Sequence, residues 1–260
     1  MPRLVRGRAL AVLACFGVLA LGEQLFPLRR PREAKARRWL RNLALAGLGA
    51  VVQAVEQNLM RRVTAFGVND RSLARSDRAR LPEVMFGILA LDYTLYLWHV
   101  LTHEVPFLWR FHAVHHADRD LDATTALRFH VGELCCSIPW RIAQVHLLGI
   151  SPRVLSYWQT ALLMSLIFQH SNLRLPERFE RRLAYLIVTP RLHGIHHSIR
   201  VAERNCNWSS GLTVWDRVHG TFRNDVLQEQ IQIGIAEAQR PEDVTLDKLL
   251  LPSALLHDEK

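Results

Sequence analysis

The stretch FHAVHHAD, residues 111–118, places His112, His115 and His116 within five positions. The same spacing returns in LHGIHHS, residues 192–198, where the histidines stand at 193, 196 and 197. Residues three and four apart are neighbours on one face of a helix. Each H-x-x-H-H motif therefore predicts a helix whose imidazoles share one face, and two of them predict a helical fold organised around clustered histidines.

The apolar residues, 49% of the 260, are gathered into long blocks between arginine clusters, which is typical of a membrane protein. Three blocks, 9–28, 40–60 and 81–100, approach the roughly 20 apolar residues that cross a bilayer. The predicted fold class is all-α: an integral membrane helix bundle with a histidine-rich, metal-binding cap. We interpret the first block as an uncleaved membrane anchor.

Two later blocks are shorter. Residues 154–168 follow Pro152 as a helix would, and they run directly into His170. Residues 135–150 are interrupted by Pro139 and Arg141, which favours a re-entrant or interfacial helix over a span. Beyond residue 224 the chain turns polar, and we expect a peripheral tail whose apolar positions dock on the body.

The net charge is +9, and almost all of the positive charge is arginine. The arginines stand at the ends of apolar blocks and are not interleaved with aromatic residues, which favours anionic lipid headgroups over nucleic acid as their partner. Connectors 29–41 and 61–80 flank the second block with arginine on both sides. Either that block crosses and one connector lies outside, or it forms a hairpin or lies in the interface and both are cytoplasmic.

Nine of the thirteen histidines fall into four clusters along the chain. Imidazole is the commonest protein ligand for metals and suits Fe, Zn, Cu and Ni. Nine rings exceed the needs of one ion and favour two ions, each with a largely nitrogen shell. His103-Glu104 is not followed by a histidine three residues later, so a zinc protease of the H-E-x-x-H type is disfavoured.

Together with these histidine clusters, or histidine boxes, three further motifs carry a family resemblance: TTALRFH at 124–130 with Glu133 after it, QHSN at 169–172, and WDRVHGTF at 215–222. Over residues 81–224 the chain resembles the fatty acid hydroxylase / sterol desaturase superfamily. The resemblance implies a membrane enzyme with a cytosolic di-iron centre, which uses O2 to hydroxylate or desaturate a C–H bond of a lipid. The implied ligands are His99, His103, His112, His115, His116, His170, His193, His196 and His197.

The same resemblance implies further roles and a domain division. His130 is either a tenth ligand or a residue that orients the ligands. Residues 1–80 would be membrane anchor helices with basic connectors, 81–224 the catalytic domain, and 225–260 the peripheral tail. Where many relatives have Arg and Pro, this chain has Val100 and Val131, and it also departs from the family pattern at 207–209 and at His219.

The implied cofactors are two iron ions, with O2 as co-substrate. Oxidising an unactivated C–H bond needs a redox metal, because no protein side chain supplies such an oxidant. Zinc fits the ligands equally well but has no redox chemistry, so a purified sample can carry zinc. The sequence has no glycine-rich nucleotide motif and no c-type haem motif, so we expect an external electron donor: a cytochrome, a ferredoxin or a reductase. The other expected partners are a lipid substrate and the membrane, which we expect to be a bacterial inner membrane.

Acidic and amide side chains near the boxes are candidates for orienting the ligands. Asp92 precedes His99 by seven residues and so shares its helical face; we expect its carboxylate to accept an N–H from a ligating imidazole. The alternative is an aspartate solvated at the helix end. Similar roles, with helix capping as the alternative, are predicted for Glu133, Asp118, Asn172 and Asp216.

Two other classes of function stay open. In a metal transporter the ligands would lie within the spans along a path, whereas most of these histidines follow the apolar blocks. A structural or regulatory metal-binding membrane protein without turnover is the other alternative, and the departure at 207–209 allows it. The sequence leaves open which lipid is the substrate and whether it is hydroxylated or desaturated.

Overall fold

A computed structural model describes residues 2–68, 81–251 and 255, and within these residues the regular structure is helical, with only isolated β-bridges. This confirms the all-α prediction. The helices are α1 (Pro2–Leu25), α2 (Lys35–Val68), α3 (Leu81–Glu104), α4 (Pro106–His116), α5 (Val131–Leu147), α6 (Pro152–His170), α7 (Glu177–Leu183), α8 (Pro190–His196), α9 (Val201–Arg204), α10 (Val214–Val218) and α11 (Leu246–Leu250).

Three helices are long and apolar enough to cross a membrane, over Gly7–Leu25, Lys35–Val63 and Leu81–Glu104. They coincide with the three predicted spans, and the protein is an integral membrane protein. The second is one continuous helix, so the hairpin alternative for residues 40–60 is wrong. Of the second basic connector, residues 61–68 belong to α2 and residues 69–80 lie outside the described residues.

The block predicted as re-entrant or interfacial is a continuous helix, α5, which packs along α2. It tolerates Pro139 in its interior, and its one arginine pairs with a carboxylate of α2: Arg141 Nη1 lies 2.9 Å from Glu56 Oε1. Helix α6 begins at Pro152 after Ser151, whose hydroxyl accepts from the backbone N–H of Val154. Apolar side chains of α2, α3, α5 and α6 form a shared core of Met60, Leu91, Val145, Val154, Leu155 and Trp158.

The chain after residue 224 packs on the body through its apolar positions, as expected. Ile235, Val244 and Leu249 are fully buried and share a core with Ala113 and Val114 of α4. The tail thereby covers the outer face of the helix that carries the first H-x-x-H-H motif. The three-part domain division remains a prediction.

The first basic connector is partly internal, which corrects its assignment to lipid headgroups. Buried Arg38 donates to both carboxylate oxygens of Asp118 at 2.8 and 2.9 Å and to Asp122 at 2.9 Å. Arg41 forms a two-bond pair with Glu33. Burial alone would raise the pKa of Asp118, but the charge and hydrogen bonds of Arg38 outweigh it and hold that pKa well below its usual range. Arg38 thus joins α2 to the loop after α4, and Arg41 joins α2 to the segment that precedes it.

Candidate metal centre

Nine histidines converge at one end of the bundle in two adjacent groups, each able to hold a metal ion. In each group, one ligand atom from every residue lies within 4.8 Å of the others. The first group is His99, His103, His112, His116 and His196, and the second is His115, His170, His193 and His197. All nine residues named from the sequence are brought together.

Four helices deliver these rings. His99 and His103 stand one turn apart near the end of α3, and α4 follows at once because Pro106 opens a new helix. The first H-x-x-H-H motif, with His112, His115 and His116, lies in the last two turns of α4, and His170 is the last residue of α6. Helix α8 starts at Pro190 and ends at His196, and its C-cap is His197. The helices predicted from the spacing are therefore present at both H-x-x-H-H motifs.

Five of the rings are oriented through Nδ1. The Nδ1 atoms of His99, His115, His170 and His196 lie 2.6–3.0 Å from the backbone carbonyl oxygens of Trp208, Arg128, Leu166 and Cys206, respectively. His112 Nδ1 lies 3.0 Å from Glu133 Oε1. Each acceptor requires a proton on Nδ1, so we assign these five rings to the Nδ1–H tautomer. Their Nε2 atoms then carry lone pairs, and those atoms face the cluster.

The Nε2 lone pairs lie close to one another without protons to share. In the first group, His99 Nε2 is 3.2 Å from His112 Nε2 and 3.1 Å from His196 Nε2. In the second, His115 and His170 approach to 3.0 Å. Two lone pairs repel, whereas a cation between them turns both into ligands. Ligands at right angles, about 2.1 Å from one ion, would be about 3.0 Å apart, and tetrahedral ones about 3.4 Å.

The other four rings have buried nitrogens with no hydrogen-bond partner among the described residues. Both nitrogens of His103 and His116 are in this state, as is Nδ1 of His193 and of His197. A buried polar atom without a partner costs about 1–3 kcal/mol, so such a concentration is unusual in a stable fold. An ion binds one nitrogen of each ring, so ions would satisfy one nitrogen of His103 and one of His116, while in His193 and His197 it is Nε2 that faces the other rings. The donor set therefore fits a pair of ions.

Burial keeps the imidazoles in the neutral form that binds metals. It lowers the pKa of His115, His116, His193 and His197 well below the usual value, and neighbouring imidazoles lower it further. Burial also lowers the pKa of His170 to about 4 and that of His196 to about 3. The lone pairs of these six rings are thus available at neutral pH.

An elongated cleft of about 360 Å³ leads from the histidines into the bundle, between α2, α3, α5 and α6. Its walls are largely aliphatic, with Leu45, Leu95, Leu134, Leu162 and Leu166. At the histidine end, Glu133 Oε2 and both amide atoms of Gln169 are buried without a partner among the described residues. The cleft therefore suits an apolar chain that presents one position to the metal centre.

His130 does not belong to either metal group among the described residues. It is the N-cap of α5, where its Nδ1 accepts from the backbone N–H of Gly132 at 2.9 Å. Its ring stacks on Phe111 with the centroids 5.2 Å apart. The tenth-ligand alternative is wrong for this reason: the lone pair that would bind a metal holds the start of a helix.

The expected role of Asp92 is wrong as well. Its carboxylate accepts from the backbone N–H of Leu212 at 3.0 Å and from the indole N–H of Trp215 at 2.8 Å. Gly211 passes so close that an added Cβ would lie 2.3 Å from Asp92 Oδ1. Asp92 thus joins α3 to the segment that enters α10, and neither oxygen receives an imidazole N–H.

The remaining candidates divide between ligand support and chain packing. Glu133 contacts His112 directly. Asp216 accepts from the backbone N–H of Trp208 at 2.8 Å and of Ser209 at 3.0 Å, so it fixes the loop whose Trp208 carbonyl accepts from His99. Asn172 instead exchanges two hydrogen bonds with the backbone of Arg29, at 2.8 and 2.9 Å. Asp118 is committed to Arg38.

In the loop 207–209 the residue that departs from the family's Asn-aromatic-Gly pattern is Ser209, whose backbone N–H donates to Asp216 Oδ2 at 3.0 Å and whose hydroxyl is buried without a partner among the described residues. Asn207 has φ 53°, in the left-handed region that asparagine tolerates better than most residues. Its side-chain amide donates to the carbonyls of Leu192 and Arg223. This loop holds the carbonyls of Cys206 and Trp208 against His196 and His99, so the variant sequence still supports both rings.

Sequence reasoning missed the carbonyls that orient four of the imidazoles and the free amide of Gln169. Any residue has a carbonyl, so only the folded chain reveals which ones face a histidine. Gln169 is part of the QHSN motif, but nothing in the motif says that its amide has no partner in the described part of the chain. Arg128, within TTALRFH, is also fully buried and donates at 2.8 Å to the carbonyl of Val114, which belongs to the first H-x-x-H-H motif.

A family model described as fatty acid hydroxylase matches residues 84–221, more than half of the chain. The chain belongs to the fatty acid hydroxylase family. The resemblance carried by the histidine boxes and the three motifs is thereby confirmed. All nine clustered histidines lie within the matched residues, whereas α1 and α2 lie before them.

Three relatives place this fatty acid hydroxylase family member among proteins named for lipid oxidation. It is 34% identical to the ornithine lipid hydroxylase of Rhizobium tropici over 154 residues, and these residues cover 59% of this chain and 45% of the relative. It is 29% identical to the cholesterol 25-hydroxylase of Homo sapiens (55% and 52%) and 29% identical to the human alkylglycerol monooxygenase (57% and 32%). The chain thus spans about half or less of each relative. No solved structure matches it significantly.

Proposed function

We propose that this protein is a membrane di-iron oxygenase that uses O2 to hydroxylate a C–H bond of a lipid. One observation carries the proposal: five and four buried imidazoles converge in two adjacent groups at the end of an apolar cleft. Two bound iron ions would supply the redox chemistry for activating O2, which no side chain here provides. Hydroxylation is preferred to desaturation because the three relatives are named hydroxylases or monooxygenases.

The side chains have separate tasks in this proposal. The nine histidines hold the ions, and Glu133 keeps His112 in the ligating tautomer. The aliphatic walls bind the lipid chain and keep bulk water from the reacting carbon, while Gln169 offers an amide beside His170. Zinc fits the same nitrogen donors, so metal content alone does not identify the active form.

We infer that electrons come from a separate acidic donor that docks on the cap. Trp109 contacts the ring of His103, at 5.1 Å between centroids, and lies under the Arg204 guanidinium at 4.4 Å. Arg200, the N-cap of the helix that contains Arg204, has a side chain that is 62% exposed, and its Nη1 pairs with Glu203 at 3.1 Å. Arg191 is less suited, because its side chain is only 27% exposed and its Nε pairs with Glu180 at 2.7 Å. Arg200→Glu should weaken the salt dependence of the reduction rate.

We further propose a bacterial inner membrane location with the metal centre on the cytosolic face. A bacterial lipid hydroxylase is among the relatives, and a cytosolic donor would reach the cap from that side. Metal transport has less support than oxygenation, because the nine rings lie together at one end of the bundle and form no path along the spans.

Oxygen uptake coupled to lipid oxidation tests the proposal. The iron-loaded, chemically reduced protein in nanodiscs made from bacterial lipid extract should consume O2 and yield a hydroxylated lipid, detected by mass spectrometry. The zinc-loaded protein is the matched control and should do neither. An iron-loaded, reduced sample that consumes no O2 with any lipid fraction would favour a metal-binding protein without turnover.

A further inference from the structure

The cleft is polar not only at the histidines but also at its opposite end, which sequence reasoning did not assign. Five polar side chains from three helices meet there; we call them the distal polar cluster: Gln53, Glu56, Gln57, Arg141 and Gln159. Between the two ends the walls are mostly leucines and tryptophans, with Ala46, Gly49 and Ser137 among them. The histidines at one end would hold the metals, so only the opposite end offers hydrogen bonds to a ligand. Such a passage fits a ligand that is apolar along its length and polar at that end.

The acidic partner of the ion pair in this cluster lies within a membrane-spanning segment. Glu56 stands inside the Lys35–Val63 span and its side chain is only 5% exposed, while that of Arg141 is 30% exposed. A charged group at such a place is costly, and a well-packed apolar pair would hold two helices at least as well. Holding α2 against α5 therefore does not by itself explain why an ion pair is present at this place.

Hydrogen-bonding capacity remains free at this end. Among the described residues, the one recorded hydrogen bond of the Arg141 guanidinium goes to Glu56, which leaves most of its five donors available. Trp158, 4% exposed and also in the cleft wall, has an indole N–H without a partner in the described part of the chain. A buried donor without an acceptor indicates that a ligand supplies one.

Helix geometry gives the distance between the two ends. Glu133 at the metal end and Arg141 at the distal end are eight residues apart on α5, or about 12 Å. On α6, Gln159 and His170 are eleven residues apart, or about 17 Å. A molecule held at the distal cluster would thus present a carbon roughly 12–17 Å away to the histidines.

We propose that the distal polar cluster binds an uncharged hydrogen-bonding group, a hydroxyl or an amide, at one end of the lipid, and so selects the carbon that reaches the metals. The charges of Glu56 and Arg141 cancel each other and the remaining groups are neutral, so neither an anion nor a cation finds a net opposite charge. The choice of carbon rests on the proposed oxygenase function, whereas binding of the polar end does not.

The test is photo-cross-linking in nanodiscs with two diazirine probes that share a 16-carbon chain, one ending in a hydroxyl and the other in a methyl group. At equal mole fraction, the hydroxyl probe should label the cleft about tenfold more, as expected for hydrogen bonds to a charged group. The double variant Glu56→Gln/Arg141→Met, which stays neutral overall, should abolish that preference. Trp158→Phe, which removes the N–H and keeps an aromatic ring, should reduce it.

Thr160→Val is the matched control. Thr160 follows Gln159 on α6, but it does not line this cleft and its hydroxyl donates to the Ser156 carbonyl at 2.8 Å, so the preference should persist. Competition by cholesterol or by hexadecanamide then distinguishes a sterol hydroxyl from an acyl amide as the source of the polar group.

Three results would overturn the inference: equal or absent labelling by the two probes, an unchanged preference in the double variant, or stronger competition by hexadecanoate or hexadecylamine than by either neutral compound. Labelling is read on the metal-free and the iron-loaded protein alike. If the oxygenase proposal alone fails, the labelling preference persists without any product.

Discussion

At the scale of single residues, the tautomer of each imidazole decides what the cluster can do. Five rings donate from Nδ1 to a carbonyl or carboxylate, and this leaves Nε2 free to bind a metal. The result is a set of short Nε2–Nε2 contacts that neutral rings cannot satisfy among themselves. The proposed ligand roles follow from this arrangement of lone pairs.

His115→Ala should empty the second group, because it removes one of only four rings there. We expect metal content to fall from two ions to one or fewer per chain, and activity to disappear with it. Elemental analysis of the purified variant measures the first. His146→Ala is the control, since His146 is exposed at the end of α5. Two retained ions per chain would refute the role of His115.

Glu133 offers a finer test of ligand support. Glu133→Gln keeps an oxygen that can accept from His112 Nδ1, whereas Glu133→Ala removes the acceptor. The alanine variant should lose about 10–100-fold in metal affinity and the glutamine variant much less. Competition with a chelator of known affinity measures both. Equal losses in the two variants would mean that the negative charge matters and the hydrogen bond does not.

At the scale of helices, the sequence was most informative where the evidence is local. The spacing of the two H-x-x-H-H motifs predicts helices at α4 and α8, and the apolar blocks predict α1, α2 and α3. Long-range contacts were not predictable in this way. Asp92 shares a helical face with His99, but its partners lie 120 residues further along the chain.

The residues around the candidate site show the same contrast between local patterns, which the sequence reveals, and long-range contacts, which it does not. The motifs identified all nine clustered histidines, but His130 in TTALRFH is no different in sequence from a ligand. Its role as the N-cap of α5 depends on where the following helix begins. Likewise, Arg141 interrupts an apolar block in the sequence, and its partner Glu56, on another helix, is revealed only by the fold.

The link between α3 and the segment before α10 can be tested at Gly211. A Cβ added there would lie 2.3 Å from Asp92 Oδ1 and push the carboxylate from Leu212 and Trp215. Gly211→Ala should therefore destabilise the protein by about 1–3 kcal/mol, as expected for lost hydrogen bonds to a buried charge. The midpoint of thermal unfolding in detergent reports this change.

Gly47→Ala is the control for that substitution. It adds the same methyl group to α2 at a position with nothing within 4 Å, so its thermal midpoint should stay the same or rise slightly. Equal midpoints for the two variants would contradict the role given to Asp92.

At the scale of the whole molecule, the metal centre joins parts of the chain that are far apart in sequence. Ligand candidates come from α3, α4, α6 and α8, and the tail packs behind α4. Buried Arg38 joins the start of α2 to the loop after α4. Removing the metal should thus destabilise all of these helix ends together, because the facing lone pairs repel each other when no cation lies between them.

Chelation should lower the thermal midpoint of the protein, and adding either Fe(II) or Zn(II) should restore it, because both bind the folded state preferentially. Only Fe(II) should restore oxidation of lipid. Differential scanning fluorimetry measures the first effect and product analysis the second. A midpoint that is insensitive to chelation, in a sample shown to have lost its metal, would mean that the cluster is stable without ions.

The most direct test of the central claim is X-ray absorption spectroscopy, with metal analysis, on the anaerobically iron-loaded protein. The claim predicts about two iron ions per chain, each with four or five nitrogen neighbours at about 2.1 Å. One ion or fewer per chain, or a shell made mainly of oxygen, would contradict it.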